Sequence, residues 1–288
     1  MQKRRRGRRG VVTAIVASAA GLVGCAGAGH RAPTSDRSMP AGAVALAAAD
    51  SSTAIRDAVE VDHVFLVTGP GAPEVAALRA AGLRIGERPT RHVGDGTASV
   101  GAIFQNAYLE LVYLDSTVSD SALSSAERAQ NARLFGWRES GVSPVGVGLR
   151  RRSGAPDALP FPSEAVERKP WMPPGPEVRR VTSSADSVAP RVFVVPREMA
   201  MTGWDAEAVA DSAFVALLQH PLGVRRVTGV RVVVARPEGN PPSLQRLHRA
   251  GVLQVEPGPS HLLELTFDGG GTGATKDFRP ELPLVIRY

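Results

Sequence analysis

Ten residues, Val59 to Thr68 (VEVDHVFLVT), constrain the fold more than any other stretch of this chain. They are mostly β-branched or aromatic and run into Gly69-Pro70-Gly71, which is the composition and the punctuation of a strand. Pro73 then stands at a first-turn position, Val75 and Leu78 have helical spacing, and Gly82 is a stop signal, so a short helix follows. Leu83 to Glu87, Thr97 to Phe104 and Ala107 to Leu114 predict three further strands. The order β, α, β, β, β places the chain among α+β folds.

Similar patterns recur downstream. A capping-box pair, Ser124 and Glu127, lies in a helix expected over Ser121 to Trp137. Gly141 to Arg152 predicts a strand, a Pro-flanked stretch around Ser163 to Arg168 a short helix, and Glu177 to Thr182 and Pro190 to Val195 two more strands. Asp205 to His220 reads as an amphipathic helix, with Phe214, Leu217 and Leu218 at helical spacing. The last part reads as a partial βαββ unit: strand Val224 to Ala235, helix Pro242 to Ala250, and strands His261 to Phe267 and Leu282 to Tyr288. Its Gly269 to Gly273 run before Lys276 lacks the spacing of a phosphate loop.

Charge is informative only once it is located. The chain carries 34 Lys plus Arg against 28 Asp plus Glu. Six of those positives lie in MQKRRRGRRG, and the other 28 balance the acids, so the body offers no general cationic field for nucleic acid. Val11 to Val23, 13 uncharged residues, is too short to span a bilayer and has the form of a secretory h-region. It ends Leu22-Val23-Gly24-Cys25, and Cys25 is the single cysteine. A lone thiol excludes a disulfide scaffold and a cysteine zinc cluster. Residues 26 to 57, rich in Ala, Gly, Ser and Pro, read as a flexible tether, with the globular part starting near Ala58.

The end of the leader resembles the lipobox of bacterial lipoproteins. That implies a signal peptide over residues 1 to 24, lipidation (palmitate included) of Cys25, and export to a membrane-anchored place in the cell envelope. Because Ala26 rather than Asp follows the cysteine, the periplasmic face of an outer membrane is favoured. VDHVFLV, a helix ending in AAGL, RHVGDGTAS and NAYLELVYLD together resemble the glyoxalase-like branch of the vicinal oxygen chelate superfamily, which includes glyoxalase I, extradiol dioxygenases and bleomycin resistance proteins. The resemblance is good over residues 59 to 115 and looser over 141 to 235. It implies repeated βαβββ modules, about 58 to 116 and 141 to 200, whose curled mixed sheets form a cleft. A glyoxalase-like domain over 58 to 222 would then be followed by the C-terminal unit, 223 to 288.

Chemistry concentrates on few residues. Under a period of two, Val61, His63, Phe65 and Val67 share one face of the first strand, and Tyr108, Glu110, Val112 and Leu114 one face of the fourth. His63 in that place is either a satisfied core residue or a ligand. Glu110, if ionised and buried, needs a partner, which a metal would supply. The resemblance places metal ligands on the first and fourth strands, so His63 and Glu110 become the expected ligands of a divalent ion: zinc, iron(II), nickel or manganese. His92 would complete the site or shuttle a proton as the catalytic residue. The middle strands offer no further ligand, since Val145 to Leu149 and Arg191 to Val195 lack His, Asp and Glu, and Glu198 lies past their end. Thr97, Ser99, Gln105 and Asn106 are candidates to line a polar cleft, and His220 reads as a helix C-terminal residue. Three functions stay open: a metal-dependent lyase, isomerase or dioxygenase acting on a small carbonyl or oxygen-rich compound, a non-catalytic module of the bleomycin-resistance type that binds or sequesters a small molecule, and an envelope interaction protein that keeps the fold without the cleft.

Overall fold

The computed structural model describes residues 51–288 apart from 176, 182–187, 201–210 and 236–239. The leader, Cys25 and the tether as far as residue 50 lie outside the described residues, as does the first part of the helix expected at Asp205. Residues 51–58 form helix α1, so the ordered body begins before Ala58. The tether expectation fails there because Ile55, at 1% exposure, is anchored in the core, and Arg56 Nε donates to Ala250 O at 3.2 Å. Strand β1 (Val59–Val67), helix α2 (Val75–Ala80) and strands β2 (Thr90–His92), β3 (Thr97–Ile103) and β4 (Tyr108–Leu114) follow.

The fold is α+β, with two mixed sheets of eight and five strands, neither closed into a barrel. Helices α3 (Ser125–Phe135) and α4 (Trp137–Ser140) lead to β5 (Val145–Arg151), β6 (Glu164–Ala165), β7 (Arg179–Arg180) and β8 (Arg191–Val194). These complete the larger sheet in the order β2-β3-β4-β1-β5-β8-β7-β6. Strands β1 and β5 are antiparallel neighbours at its centre, each with a parallel partner on its other side, β4 and β8. Helix α5 (Ser212–Leu217) links this sheet to the second, built from β9 (Val227–Val234), helix α6 (Pro242–Arg249), β10 (Gln254–Pro257), β11 (Leu262–Phe267), β12 (Thr275–Asp277) and β13 (Leu284–Arg287). Its order, β10-β9-β11-β13-β12, has two more strands than a βαββ unit. No helix among the described residues is long and apolar enough to cross a membrane.

Two expected elements are replaced for local reasons. Leu83 to Glu87 is not a strand, because its backbone bonds go elsewhere: Arg84 N to the His220 ring at 3.0 Å and Gly86 N to Gly101 O at 2.9 Å. The pairing strand is instead β2, joined to β3 by a turn in which Gly94 and Gly96 hold positive φ, 95° and 68°. Around Ser163 to Arg168 there is no helix; Glu164–Ala165 pairs with Arg179–Arg180, and Val166 N reaches Val178 O. The Arg180–Glu164 ion pair at 2.9 Å aligns the two strands. The capping box forms as expected, with Glu127 N to Ser124 Oγ at 3.2 Å and Ser124 N to Glu127 Oε2 at 2.7 Å.

The period of two divides the larger sheet into two unlike faces. Val64, Leu66, Leu109, Leu111, Val147 and Leu149 join one continuous core with Leu78 of α2 and the apolar face of the second sheet. Asn106 ties the two sheets, giving Nδ2 to Val227 O at 2.8 Å and accepting from Val227 N at 2.9 Å. It is therefore a structural clamp and not a cleft residue. The opposite face carries His63, Phe65, Val67, Glu110 and Val112, and its apolar members pack under Leu134 of α3, Met172 and Met199.

Candidate functional site

That second face is where the chemistry gathers. In the β1–β4 register His63 lies beside Tyr108 and Phe65 beside Glu110; in β3–β4, Gly101 lies beside Glu110, and in β2–β3 His92 lies beside Thr97. His92 Nδ1 meets Thr97 Oγ1 at 2.9 Å, and its Nε2 stands 3.7 Å from Glu110 Oε1. Both side chains are fully buried. Burial lowers the His92 pKa to about 4 and raises that of Glu110 to about 8, with the nearby Ser99 hydroxyl drawing Glu110 down slightly. At neutral pH the pair is therefore a neutral imidazole beside a protonated carboxyl.

His63 belongs to a different group. A bulge between Val61 and His63 breaks the alternation and turns Asp62 toward the His63 ring. His63 Nδ1 and Asp62 Oδ2 are 2.9 Å apart, which leaves Nε2 as the free ring nitrogen. Arg150 supports Asp62 at 3.4 Å, with further bonds at 2.9 Å to Glu60 and to Asn106 O. The His63 ring stacks on Tyr108 at 4.5 Å and 12° and lies directly over Gly148. A Cβ at Gly148 would come within 2.2 Å of that ring, so the GVG of β5 is what gives the imidazole room.

The donors nonetheless do not assemble as a metal centre. His63 Nε2, His92 Nε2 and both Glu110 oxygens are buried without hydrogen-bond partners, which is suitable ligand chemistry. Only His92 and Glu110 approach each other, however, while His63 is held by Asp62 and Tyr108. Among the described residues no group of three or more His, Cys, Asp or Glu is placed to hold a metal ion. Glu198 is exposed, and Glu264 is bound by Arg231 and Arg287 at 3.5 and 2.8 Å. His220 bridges Ile103 O and Arg84 N and so ties α5 to the sheet.

A cleft of about 990 Å³ opens beside this face. Gly101 and Ile103 of β3 line it, with Trp171, Phe214 and Leu217 as apolar walls and Arg79, Arg84, Arg88 and Arg91 around them. Arg79, Arg84 and Arg91 are held by Ile85 O, Gln219 O and Asp115. Arg88 is exposed, with no bond to any described residue. The sequence reading missed Asp62, Asp95 and Trp171. Trp171 Nε1 donates to Asp95 Oδ2 at 2.6 Å, and its ring lies 5.1 Å from that of His92. Burial raises the Asp95 pKa to about 7, against the opposing effect of the indole bond. The alternating glycines of Val145 to Leu149 mark where the Phe65 and His63 rings cross from β1, but they carry no signal for Asp62.

No protein-family model matches the chain, and no curated protein matches it. A solved structure, a hypothetical protein from Staphylococcus aureus, is similar at a TM-score of 0.41 and 8% identity, over 80% of this chain and 98% of that one.

Proposed function

We propose that this chain is a lipid-anchored envelope protein, with a glyoxalase-like fold over its larger sheet, that binds a small organic anion in the cleft beside β3. The observation that carries this reading is the cleft's lining: apolar walls from Trp171, Phe214 and Leu217, and a rim on which Arg88 has no partner among the described residues. An apolar body with a carboxylate or similar anionic group matches that combination. The modular reading is supported by the mirrored strand order on either side of the β1–β5 pair. Cys25 supplies the anchor, and the segment after it the reach from the membrane. Binding is favoured over metal-dependent lyase, isomerase or dioxygenase chemistry because such an enzyme needs a further donor beside His92 and Glu110, and the described residues place none there.

The test is a calorimetric titration of the full chain with a panel of aryl and alkyl carboxylates, sulfonates and phosphates. At least one class should bind, and Arg88→Ala should weaken it about tenfold, equivalent to about 1.4 kcal/mol. Silence across the whole panel, or affinity indifferent to Arg88, rejects the reading.

A further inference from the structure

Three parts of the cleft meet at one histidine that does not line it. His220 Nε2 lies 2.9 Å from Ile103 O of β3, and its Nδ1 lies 3.0 Å from Arg84 N in the segment between α2 and β2. Ile103 lines the cleft, and so does the stretch from Arg84 to Arg88. His220 itself follows α5, whose Phe214 and Leu217 form the apolar wall. The ring is 6% exposed and packs on Phe104 at 4.7 Å, so both bonds are shielded from water.

The two partners fix the ring's protons. A backbone carbonyl only accepts, so Nε2 carries the proton; a backbone N–H only donates, so Nδ1 is bare. A second proton, on Nδ1, would point one N–H at another and break the bond to Arg84. Burial lowers the His220 pKa, the Ile103 bond opposes that fall, and the Arg84 charge adds to it. Among the described residues Arg84 is the charged group acting on the ring; β3 meets it with Ile103 and Phe104. The neighbouring ties do not need the ring. Leu222 N donates to Gly82 O at 2.9 Å, and Gly86 N to Gly101 O at 2.9 Å. Between those two points Arg84 is held to the end of α5 by His220 and by an exposed bond from its Nε to Gln219 O at 2.6 Å.

We propose that His220 is the positioning residue of the cleft: its neutral ring clips the Arg84 wall to α5 and β3 in the anion-binding form, and a proton on Nδ1 releases that wall and weakens binding. This rests on the cleft being the binding site. The proton acts twice in the same direction, since it removes the acceptor for Arg84 N and sets a second positive charge beside the Arg84 side chain. Gly82 and Gly86 then bound the segment that moves. The ligand's affinity follows the clip because the walls bearing Arg88 and Phe214 keep their spacing only while Arg84 stays attached.

Two measurements on the full chain test this. The first is hydrogen–deuterium exchange in peptides covering residues 83–88, corrected for the intrinsic pH dependence of exchange and stepped from about pH 7 to about pH 4.5, through the range where histidine titrates. Wild-type exchange should speed by about tenfold or more as the ring takes its proton, since local opening is then favoured. His220→Ala should be fast throughout. His220→Gln, whose amide accepts from Arg84 and donates to Ile103 without titrating, should stay slow throughout. A wild type still protected at the acid end overturns the clip, and so does an equal acid step in His220→Gln. The second is calorimetric binding of naphthalene-2-sulfonate, an anion that stays ionised across this range. Wild-type affinity should fall at least about fivefold toward the acid end, and that of His220→Gln should not. Equal pH dependence in both proteins sinks the clip and spares the cleft, whereas binding at no pH removes the cleft reading and its control by His220 together.

Discussion

The Glu110 carboxyl lies 3.7 Å from the His92 imidazole, both fully buried, and their pKa values have crossed: about 8 for the acid and about 4 for the base. Neither neighbour supplies charge to the other at neutral pH. Burial is the dominant cause of both shifts, opposed by Asp115 at His92 and by the Ser99 hydroxyl at Glu110, so the pair stores proton affinity on the carboxyl.

That inversion has a sign in stability. From pH 4.5, the ordinary value, to about 8, folded Glu110 keeps a proton that the unfolded chain has released, so stability falls as pH rises. Asp95 acts likewise from 3.8 to about 7, while His92, lowered from 6.5 to about 4, acts oppositely over that window. Above pH 7 Glu110 carries most of the slope, with a smaller share from Asp95, which is half protonated at pH 7. Urea denaturation should show a Glu110 contribution of about 1 kcal/mol lost between pH 7 and 8, and Glu110→Gln should keep only the shallow decline that Asp95 supplies. An equally steep decline in the variant would disprove the assignment.

Much of this arrangement was legible in the sequence, for a physical reason. The alternation of VDHVFLV and of AYLELVYL is enough to put Phe65 and Glu110 on one sheet face, since that needs only a period of two and correct strand pairing. The Ser124–Glu127 cap is local as well and forms, and the strand order β, α, β, β, β is present with its second strand at Thr90–His92 rather than at Leu83 to Glu87. What was not legible depended on exceptions to local rules. Asp62 would face away from His63 in an unbroken strand, and only a bulge brings them together. Trp171 meets Asp95 across 76 residues of chain, through a proline-rich turn with no periodicity to read. Ile55 was assigned to the tether because one apolar residue among Ser, Thr and Asp carries little pattern.

Gly148 makes the sharpest steric prediction. A Cβ there would lie 2.2 Å from His63 Cε1 and 2.5 Å from Nδ1, with Tyr108 stacked on the ring. Gly148→Ala should destabilise the protein by about 1–3 kcal/mol through overpacking. A Gly148→Ala protein no less stable than wild type in urea would show that the His63 ring has another place to go.

Arg150 is 5% exposed and joins Glu60 to Asp62 beneath His63. Arg150→Met should cost about 3–5 kcal/mol, because it leaves the fully buried Asp62 carboxyl without its cation. Arg150→Met with Asp62→Asn should recover part of that loss, since the charge needing compensation is gone. The double-mutant cycle is read by chemical denaturation, and strict additivity would mean the two residues do not interact.

Anchoring makes a prediction independent of the fold. If Cys25 carries two or more acyl chains, the protein sediments with membranes, since one chain binds only reversibly. Cys25→Ser should move it to the soluble fraction or leave an unprocessed leader of higher mass. Membrane retention of Cys25→Ser with its leader removed would rule out the lipid as the anchor.

The place where the fold begins can be tested by truncation. Helix α1 contributes Ile55, 1% exposed, to the core shared by both sheets, and Arg56 reaches the end of α6 at Ala250. A chain starting at Val59 loses both contacts and should be less stable than one starting at Ser51 by about 2–4 kcal/mol, the range for removing a buried Ile. Ile55→Ala in the full chain should reproduce most of that deficit, which separates the apolar contact from the helix as a whole. Equal denaturation midpoints for the two truncated chains would return residues 51–57 to the tether.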